Sequence, residues 1–239
     1  MPTPAVERAL AYPFDPPAKS YVFRGGAPVF IDQSAFAPHL TAAMSAPRHA
    51  VIASGSNASP KRLFEKFGDG EVIPVLRARI EGLIVTHSAK FTGYGSMPAT
   101  LHRHPGGSAN VFVTLLDDDQ LARMDQTEAL GVEYDRAAIT APIAIETGAQ
   151  PDDVMAYVSR YGAFAPSGAP APSAAADQSA PELSPITQAE AVQAAMRVAD
   201  VKDDLHAFLG RVIRDAAYRG GVNQQLKARA ALPFDFGGE

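Results

Sequence analysis

Two stretches of the chain place chemically useful residue types at useful spacing. The first is Ser54-Gly55-Ser56-Asn57, between the apolar run Ala50-Val51-Ile52-Ala53 and a stretch opened by Ser59-Pro60. The run reads as a buried strand. Ser59 suits an N-cap and Pro60 the first position of a helix, with Leu63, Phe64 and Phe67 as its apolar face and Gly68 closing it. Successive amides in such a loop, with the helix N-terminus, would hold a carboxylate or phosphate. Gly55 can adopt positive φ and let backbone approach a ligand. Ser56 and Asn57 add side-chain donors, and Arg62, one turn into the helix, could balance the charge. The plainer alternative is an ordinary strand-to-helix turn. The Gly-Lys-Ser/Thr ending of a P-loop is absent, and Ala58 stands where a serine-hydrolase elbow needs glycine.

The second stretch ends in Glu128. Leu121, Met124 and Glu128 are three and four apart, so they share one face of a helix predicted over about 120–128. If Leu121 and Met124 face the core, the carboxylate points inward. Desolvation then raises its pKa, which suits a group that takes and returns a proton near neutral pH. The alternative is a helix that ends by Thr127 and leaves Glu128 solvated. Asp125 lies toward the flank of the helix. His102 and His104 would share a strand face and could begin a metal site, but no partner at ligand spacing completes it. Surface histidines beside a Pro-Gly turn are the simpler reading. His87 follows a predicted strand without support at useful spacing.

The elements that must position these groups are legible in outline. Tyr21–Phe23 and Val29–Ile31 read as short strands around Gly25-Gly26, in an otherwise irregular start broken by prolines. Phe36, Leu40 and Met44 suggest a short helix that ends before Pro47. Residues 72–75 and 79–85 read as strand material split near 76–78. Residues 99–103 form a short strand, Pro105-Gly106-Gly107 turns the chain, and residues 110–116 form the next strand. Asp117–Asp119 complement the N-terminus of the helix that carries Glu128. Residues 137–144 are weakly strand-like, and residues 154–161 alternate as a strand does. From Phe164 to Pro185 the composition turns to Ala, Pro and Ser, which predicts a mobile linker or lid. Helical stretches follow, with an uncertain break near Asp200. Leu205, Phe208, Leu209, Val212 and Ile213 form an amphipathic stripe that must pack on its own domain or on a second subunit, and Gly220-Gly221 is read as its end. Tyr12-Pro13-Phe14-Asp15 and Leu232-Pro233-Phe234-Asp235-Phe236 echo each other as two similar surface anchors.

Composition bounds the chemistry. The chain has 239 residues, no Cys, 21 Lys and Arg against 26 Asp and Glu, and a formal net charge of −5. The missing thiols remove disulfides, thiolate nucleophiles and Cys-containing metal sites. The charge recommends neither nucleic acid nor an anionic membrane surface as a partner. No apolar run is long enough to span a bilayer and no signal-like start is present, so a cytoplasmic protein is the expectation.

The informative stretches together resemble the gamma-glutamylcyclotransferase-like superfamily. Its members carry Tyr-Gly-Ser-Asn after the first strand, with an arginine five residues beyond the asparagine; here these are Ser54-Gly55-Ser56-Asn57 and Arg62. Ala99-Thr100-Leu101 followed by Pro105-Gly106 is similar to a further family stretch. The family's catalytic glutamate falls on Glu128, with a tyrosine following at Tyr134. The resemblance covers about residues 50 to 160. Three positions depart from the pattern: Ser54 replaces an aromatic hydroxyl, Ala129 replaces the glycine after the glutamate, and Val111 replaces a strand glycine.

The resemblance implies an α+β fold, a small mixed β-barrel with flanking helices and a pocket at one barrel edge, here with a C-terminal helical extension. The expected organisation is an N-terminal extension over 1–47, the family-like domain over 48–163, the linker over 164–185, and the helical extension and tail over 186–239. The implied activity is cleavage of a γ-glutamyl amide to 5-oxoproline and a free amine. Glu128 would be the acid and base, and Ser54, Gly55, Ser56, Asn57, Arg62 and Tyr134 would bind substrate. The reaction requires no metal and no organic cofactor. The expected partner is a small-molecule amide, with a homodimer through the C-terminal helices as a further possibility. Two rivals stand beside this reading: another small-amide hydrolase or lyase in the same pocket, and a non-catalytic binding or scaffold protein, which a solvated Glu128 without an adjoining cavity would favour.

Overall fold

A computed structural model describes residues 3–14 and 17–235. Its spine is a pair of long antiparallel strands, β4 (Val72–His87) and β5 (Ala99–Leu116), paired from Val75↔Thr114 to His87↔Ala99. The chain therefore does not break at 76–78. The irregularity falls at Gly82, φ 72°, where the register shifts between Glu81 and Leu83. Glu81 faces Ser108 and Leu83 faces Arg103, so Pro105-Gly106-Gly107 bulges out of β5 instead of reversing the chain.

The other elements build outward from this pair. Helix α1 (Pro4–Leu10) has Pro4 in its first turn, where a missing N–H costs nothing, so the proline-rich start is partly helical. Strands β1 (Tyr21–Arg24) and β2 (Ala27–Phe30) form a hairpin through Gly25 and Gly26, both at positive φ, the geometry a two-residue hairpin loop requires. Helix α2 (Phe36–Ala43), β3 (His49–Ala53) and α3 (Pro60–Phe67) follow, then β4, β5 and α4 (Asp118–Thr127). Strands β6 (Tyr134–Ala138), β7 (Ile143–Ile145), β8 (Val154–Ser159), β9 (Ala163–Phe164) and β10 (Gln178–Ser179) precede helices α5 (Gln188–Val198), α6 (Leu205–Arg214) and α7 (Ala216–Arg229). Strand β11 (Ala231–Leu232) pairs with β9.

The main sheet runs β2-β1-β4-β5-β3-β8-β6, with β7 on β4 and β10 on β5. Its pairs are antiparallel except β3 with β8. This corrects the expected barrel: the sheet is α/β-mixed with flanking helices, but among the described residues no ladder joins its edges β2 and β6, and no sheet closes. The physical reason lies in Ile139–Pro142. Ile139 still bonds to Val154 beside β6, whereas the Pro142 carbonyl already accepts from Glu81 beside β4. The side between β6 and β4 is thus crossed by the covalent chain, where Pro142 has no N–H to offer a ladder.

Three apolar clusters hold the fold. One lies between strands, with Leu76, Ile80, Val85 and Val113 among its members; another packs Leu63 of α3 with Leu121 and Met124 of α4 against Val51 and Val75. The third is helical. Phe208, Leu209 and Val212 of the amphipathic stripe are buried in their own chain with Val6 and Ala9 of α1, Val192 of α5 and Leu226 of α7. The stripe needs no second copy to cover it. Helix α7 is capped by Asp215, whose carboxylate accepts from the Tyr218 amide, and runs through Gly220-Gly221 to Arg229, so these glycines do not end it.

Several residues within 164–185 meet the sheet or the core. Phe164 is fully buried, Ser173 donates its amide to the Val85 carbonyl, and Gln178 bonds the Val85 amide and carbonyl. Small Ala and Ser side chains let this backbone lie close on the sheet. Among the described residues no helix is long and apolar enough to cross a membrane. Asp15 and Phe236 of the two Pro-Phe-Asp stretches lie outside the described residues.

Candidate active site

Strand β3 delivers the loop and α4 delivers the carboxylate. Beyond Ala53, residues Ser56–Ala58 make one 3₁₀ turn, and α3 starts after Ser59. Ser59 sits at the N-cap position, but its side chain caps nothing; its carbonyl takes the Leu63 amide at 3.0 Å. Helix α4 is opened by a capping box, with Asp117 Oδ1 accepting from the Gln120 amide at 2.9 Å and Gln120 Oε1 from the Asp117 amide at 3.1 Å. Leu121 and Met124 face the core, and the helix ends at Thr127. Glu128 is its C-cap and keeps helical backbone, with its amide on the Met124 carbonyl at 2.9 Å. The helix therefore stops where the solvated alternative required, yet the carboxylate still turns inward, with a side-chain exposure of 14%. Ala129 then takes φ 50°, the left-handed region that glycine enters freely.

The Glu128 carboxylate is held from two sides through one oxygen. Asn57 Nδ2 donates to Oε1 at 3.2 Å, and the Lys66 ammonium donates to the same oxygen. Oε2 has no protein partner among the described residues. Lys66 is 4% exposed and also lies 3.3 Å from Met124 Sδ. Burial pushes the Lys66 pKa below its usual value, while Glu128 pulls it back up. Glu128 is thus not the lone carboxylate on an apolar face that the desolvation argument assumes. Asn57 Oδ1, in turn, is a buried acceptor with no partner.

All the expected site residues line one cleft of about 430 Å³: Ser54, Gly55, Ser56, Asn57, Arg62, Glu128 and Tyr134. Arg62 is already paired with Glu65 on its own helix, and its buried Nε has no acceptor. Gly55 has φ −135°, so it is not there for positive φ. It is there for space, because a Cβ would run into the Tyr12 hydroxyl and lie 3.1 Å from Ala99 Cβ. That hydroxyl accepts the Ala99 amide at 2.8 Å. The N-terminal segment thereby places a phenol over the loop beside Gly55.

Tyr12, Tyr134 and Tyr157 on the cleft wall have raised pKa values. Burial, reinforced by the charges and phenols around them, pushes the pKa values of Tyr12 and Tyr134 up. Tyr157, also on the wall, is raised by burial and by its 2.6 Å bond to Asp125. A second pair, buried Lys90 with half-buried Glu133, completes this side, and Lys90 lies 5.5 Å from the Tyr134 ring centre and 5.2 Å from that of Tyr161.

Several of these groups escaped sequence reasoning. The burial of Lys66 was readable, since it follows Leu63 by three on the buried face of α3, but its pairing with Glu128 was not. Tyr12 and Lys90 carry no local signal and reach the cleft only through tertiary packing. His102 and His104 are not joined by a third ligand-type side chain among the described residues, and His104 bonds the Pro181 carbonyl at 2.9 Å.

No protein-family model and no curated protein matches the chain. Among solved structures it is similar to a gamma-glutamyl cyclotransferase, at 16% identity over 80% of this chain and 92% of that one, TM-score 0.40. An uncharacterized protein from Homo sapiens is similar at 15% identity over 81% and 94%, TM-score 0.41. A protein from Arabidopsis thaliana, solved in solution, is similar at 20% identity over 48% and 71%, TM-score 0.37. The likeness to gamma-glutamylcyclotransferase-like folds is distant.

Proposed function

We propose that the chain is an enzyme that cyclises a γ-glutamyl amide to 5-oxoproline and releases the amine, with Glu128 as acid and base. The observation that carries this reading is the Glu128 carboxylate itself. Its Oε1 is fixed by Asn57 and Lys66, and its Oε2 is free in a cleft large enough for a small amide. A cavity beside the carboxylate also removes the condition that favoured a scaffold protein.

The substrate's α-amine attacks its own γ-carbonyl carbon, and the ring geometry supplies the proximity, so no protein nucleophile is needed. Oε2 takes the proton leaving the attacking nitrogen. The amide C–N bond then breaks as Glu128 returns that proton to the departing amine. The Gly55–Asn57 loop would hold the α-carboxylate. The neutral phenols of Tyr12 and Tyr134 are O–H donors suited to the developing oxyanion; Tyr12 is already fixed by the Ala99 amide and has its own proton to give.

The test is incubation of the purified, folded protein with a panel of γ-glutamyl peptides and γ-glutamylamines, with 5-oxoproline as the measured product. Its formation from at least one member is expected. No 5-oxoproline from any member would defeat the reading.

A further inference from the structure

The cleft is walled partly by α7, which lies outside the stretch that carries the family resemblance. Arg219 and Asn223 are four apart on one face of this helix, and both line the cleft. Asn223 ties α7 to the wall: its Oδ1 accepts the Phe91 amide at 2.7 Å and its Nδ2 donates to the Phe91 carbonyl at 3.0 Å. The same turn brings Arg219 beside Gly93, where a Cβ would lie 4.0 Å from Nη2. Nη1 is anchored on the Val212 carbonyl at 2.8 Å, with the Ile213 carbonyl 3.5 Å away.

The charges of this site are otherwise matched. Glu128 pairs with Lys66, Glu133 with Lys90, and Arg62 with Glu65. Arg219 has no carboxylate within ion-pair distance among the described residues, and its anchor bonds are to neutral carbonyls. A half-buried, pre-positioned guanidinium with donors to spare is suited to a carboxylate brought by the ligand.

We propose that Arg219 forms an anion subsite of this cleft and selects γ-glutamyl amides whose amine portion carries a carboxylate. The proposal rests on the γ-glutamyl reading above. In that reading the glutamyl end is held by the Gly55–Asn57 loop beside Glu128, so the carboxylate left for Arg219 is on the departing amine. Gly220, the next residue of α7, has no side chain to fill the space beside it.

Two unreactive probes isolate the effect. Glutarylglycine keeps the amide and both carboxylates but lacks the attacking α-amine; the monomethylamide of glutaric acid also lacks the second carboxylate. Calorimetric titration of the full chain is expected to show glutarylglycine binding about tenfold tighter, the worth of one charged hydrogen-bonding contact. Arg219→Gln should abolish that preference and leave the affinity for the monomethylamide unchanged. Arg219→Lys, which keeps the charge, should retain part of it. Equal affinities in the wild type, a preference that survives Arg219→Gln, equal weakening of both probes by that substitution, or no binding of either probe would each overturn the proposal. An Arg219-dependent preference in a protein that makes no 5-oxoproline would leave the subsite standing and defeat only the reaction. Turnover with no carboxylate preference would do the reverse.

Discussion

The Lys66 ammonium on α3 and the Glu128 carboxylate at the end of α4 form a buried ion pair, so the candidate base is gripped from behind by a cation. Removing Glu128 strands the buried ammonium, and removing Lys66 leaves the carboxylate without its cation. Glu128→Gln and Lys66→Met should each lower the unfolding free energy by about 3 kcal/mol, while the double substitution costs clearly less than the sum. Urea unfolding of the four proteins measures this. Additive losses would mean that the two groups are not coupled.

The same pair predicts a pH dependence with a definite direction. Burial lowers the Lys66 pKa in the folded state below its ordinary 10.5. Between the lowered value and 10.5 the unfolded chain binds more protons at this site than the folded chain, so this contribution to stability increases as pH rises through that window. It is lost again as pH falls through the folded-state value. Wild type should gain stability relative to Lys66→Met/Glu128→Gln as pH rises toward 10.5. A flat or falling difference would contradict the lowered pKa.

Ala129 adopts φ 50° directly after Glu128. A Cβ in the left-handed region costs about 1 kcal/mol, and glycine avoids it. Ala129→Gly should therefore raise the unfolding free energy by about that amount. Thermal and urea unfolding should agree, and an unchanged or lower stability would show that the strain is relieved elsewhere.

The local signals in the chain proved legible where they act over a few residues. The Gly25-Gly26 hairpin, the strand ending at Ala53, Pro60 opening α3, and the Leu121-Met124-Glu128 face all follow from short-range sterics and periodicity. What escaped depends on long-range packing. Lys66 pairs with Glu128 across two helices, and Tyr12 reaches Gly55 from an N-terminal segment with no motif. Composition does not reveal that Ser173 and Gln178 bond to Val85, because Ala and Ser leave a backbone free to bond to a sheet as readily as to water. Gly220-Gly221 read as a helix stop because glycine disfavours helix, yet packing of Val222 and Leu226 carries α7 through them. Sheet closure was likewise unreadable, since it turns on whether two distant edges meet.

The contact of Tyr12 with Gly55 gives a prediction for the loop. Gly55→Ala places a methyl group against the phenol and should cost about 1–3 kcal/mol, with the N-terminal segment displaced. Tyr12→Phe removes the acceptor of the Ala99 amide, and exchange of that amide should speed up by about tenfold, the worth of one such hydrogen bond. Unchanged exchange at Ala99 together with an innocuous Gly55→Ala would place Tyr12 away from the loop.

The most direct test of the central claim compares the rate of 5-oxoproline formation by wild type and by Glu128→Gln, on whichever γ-glutamyl amide the wild type turns over fastest, with both proteins verified as folded. Glutamine keeps the shape and can still meet Asn57 and Lys66, but it offers no basic oxygen to the attacking amine. Wild type is expected to form 5-oxoproline, and Glu128→Gln to be slower by about 10²-fold or more. Equal rates in the two proteins would contradict the claim.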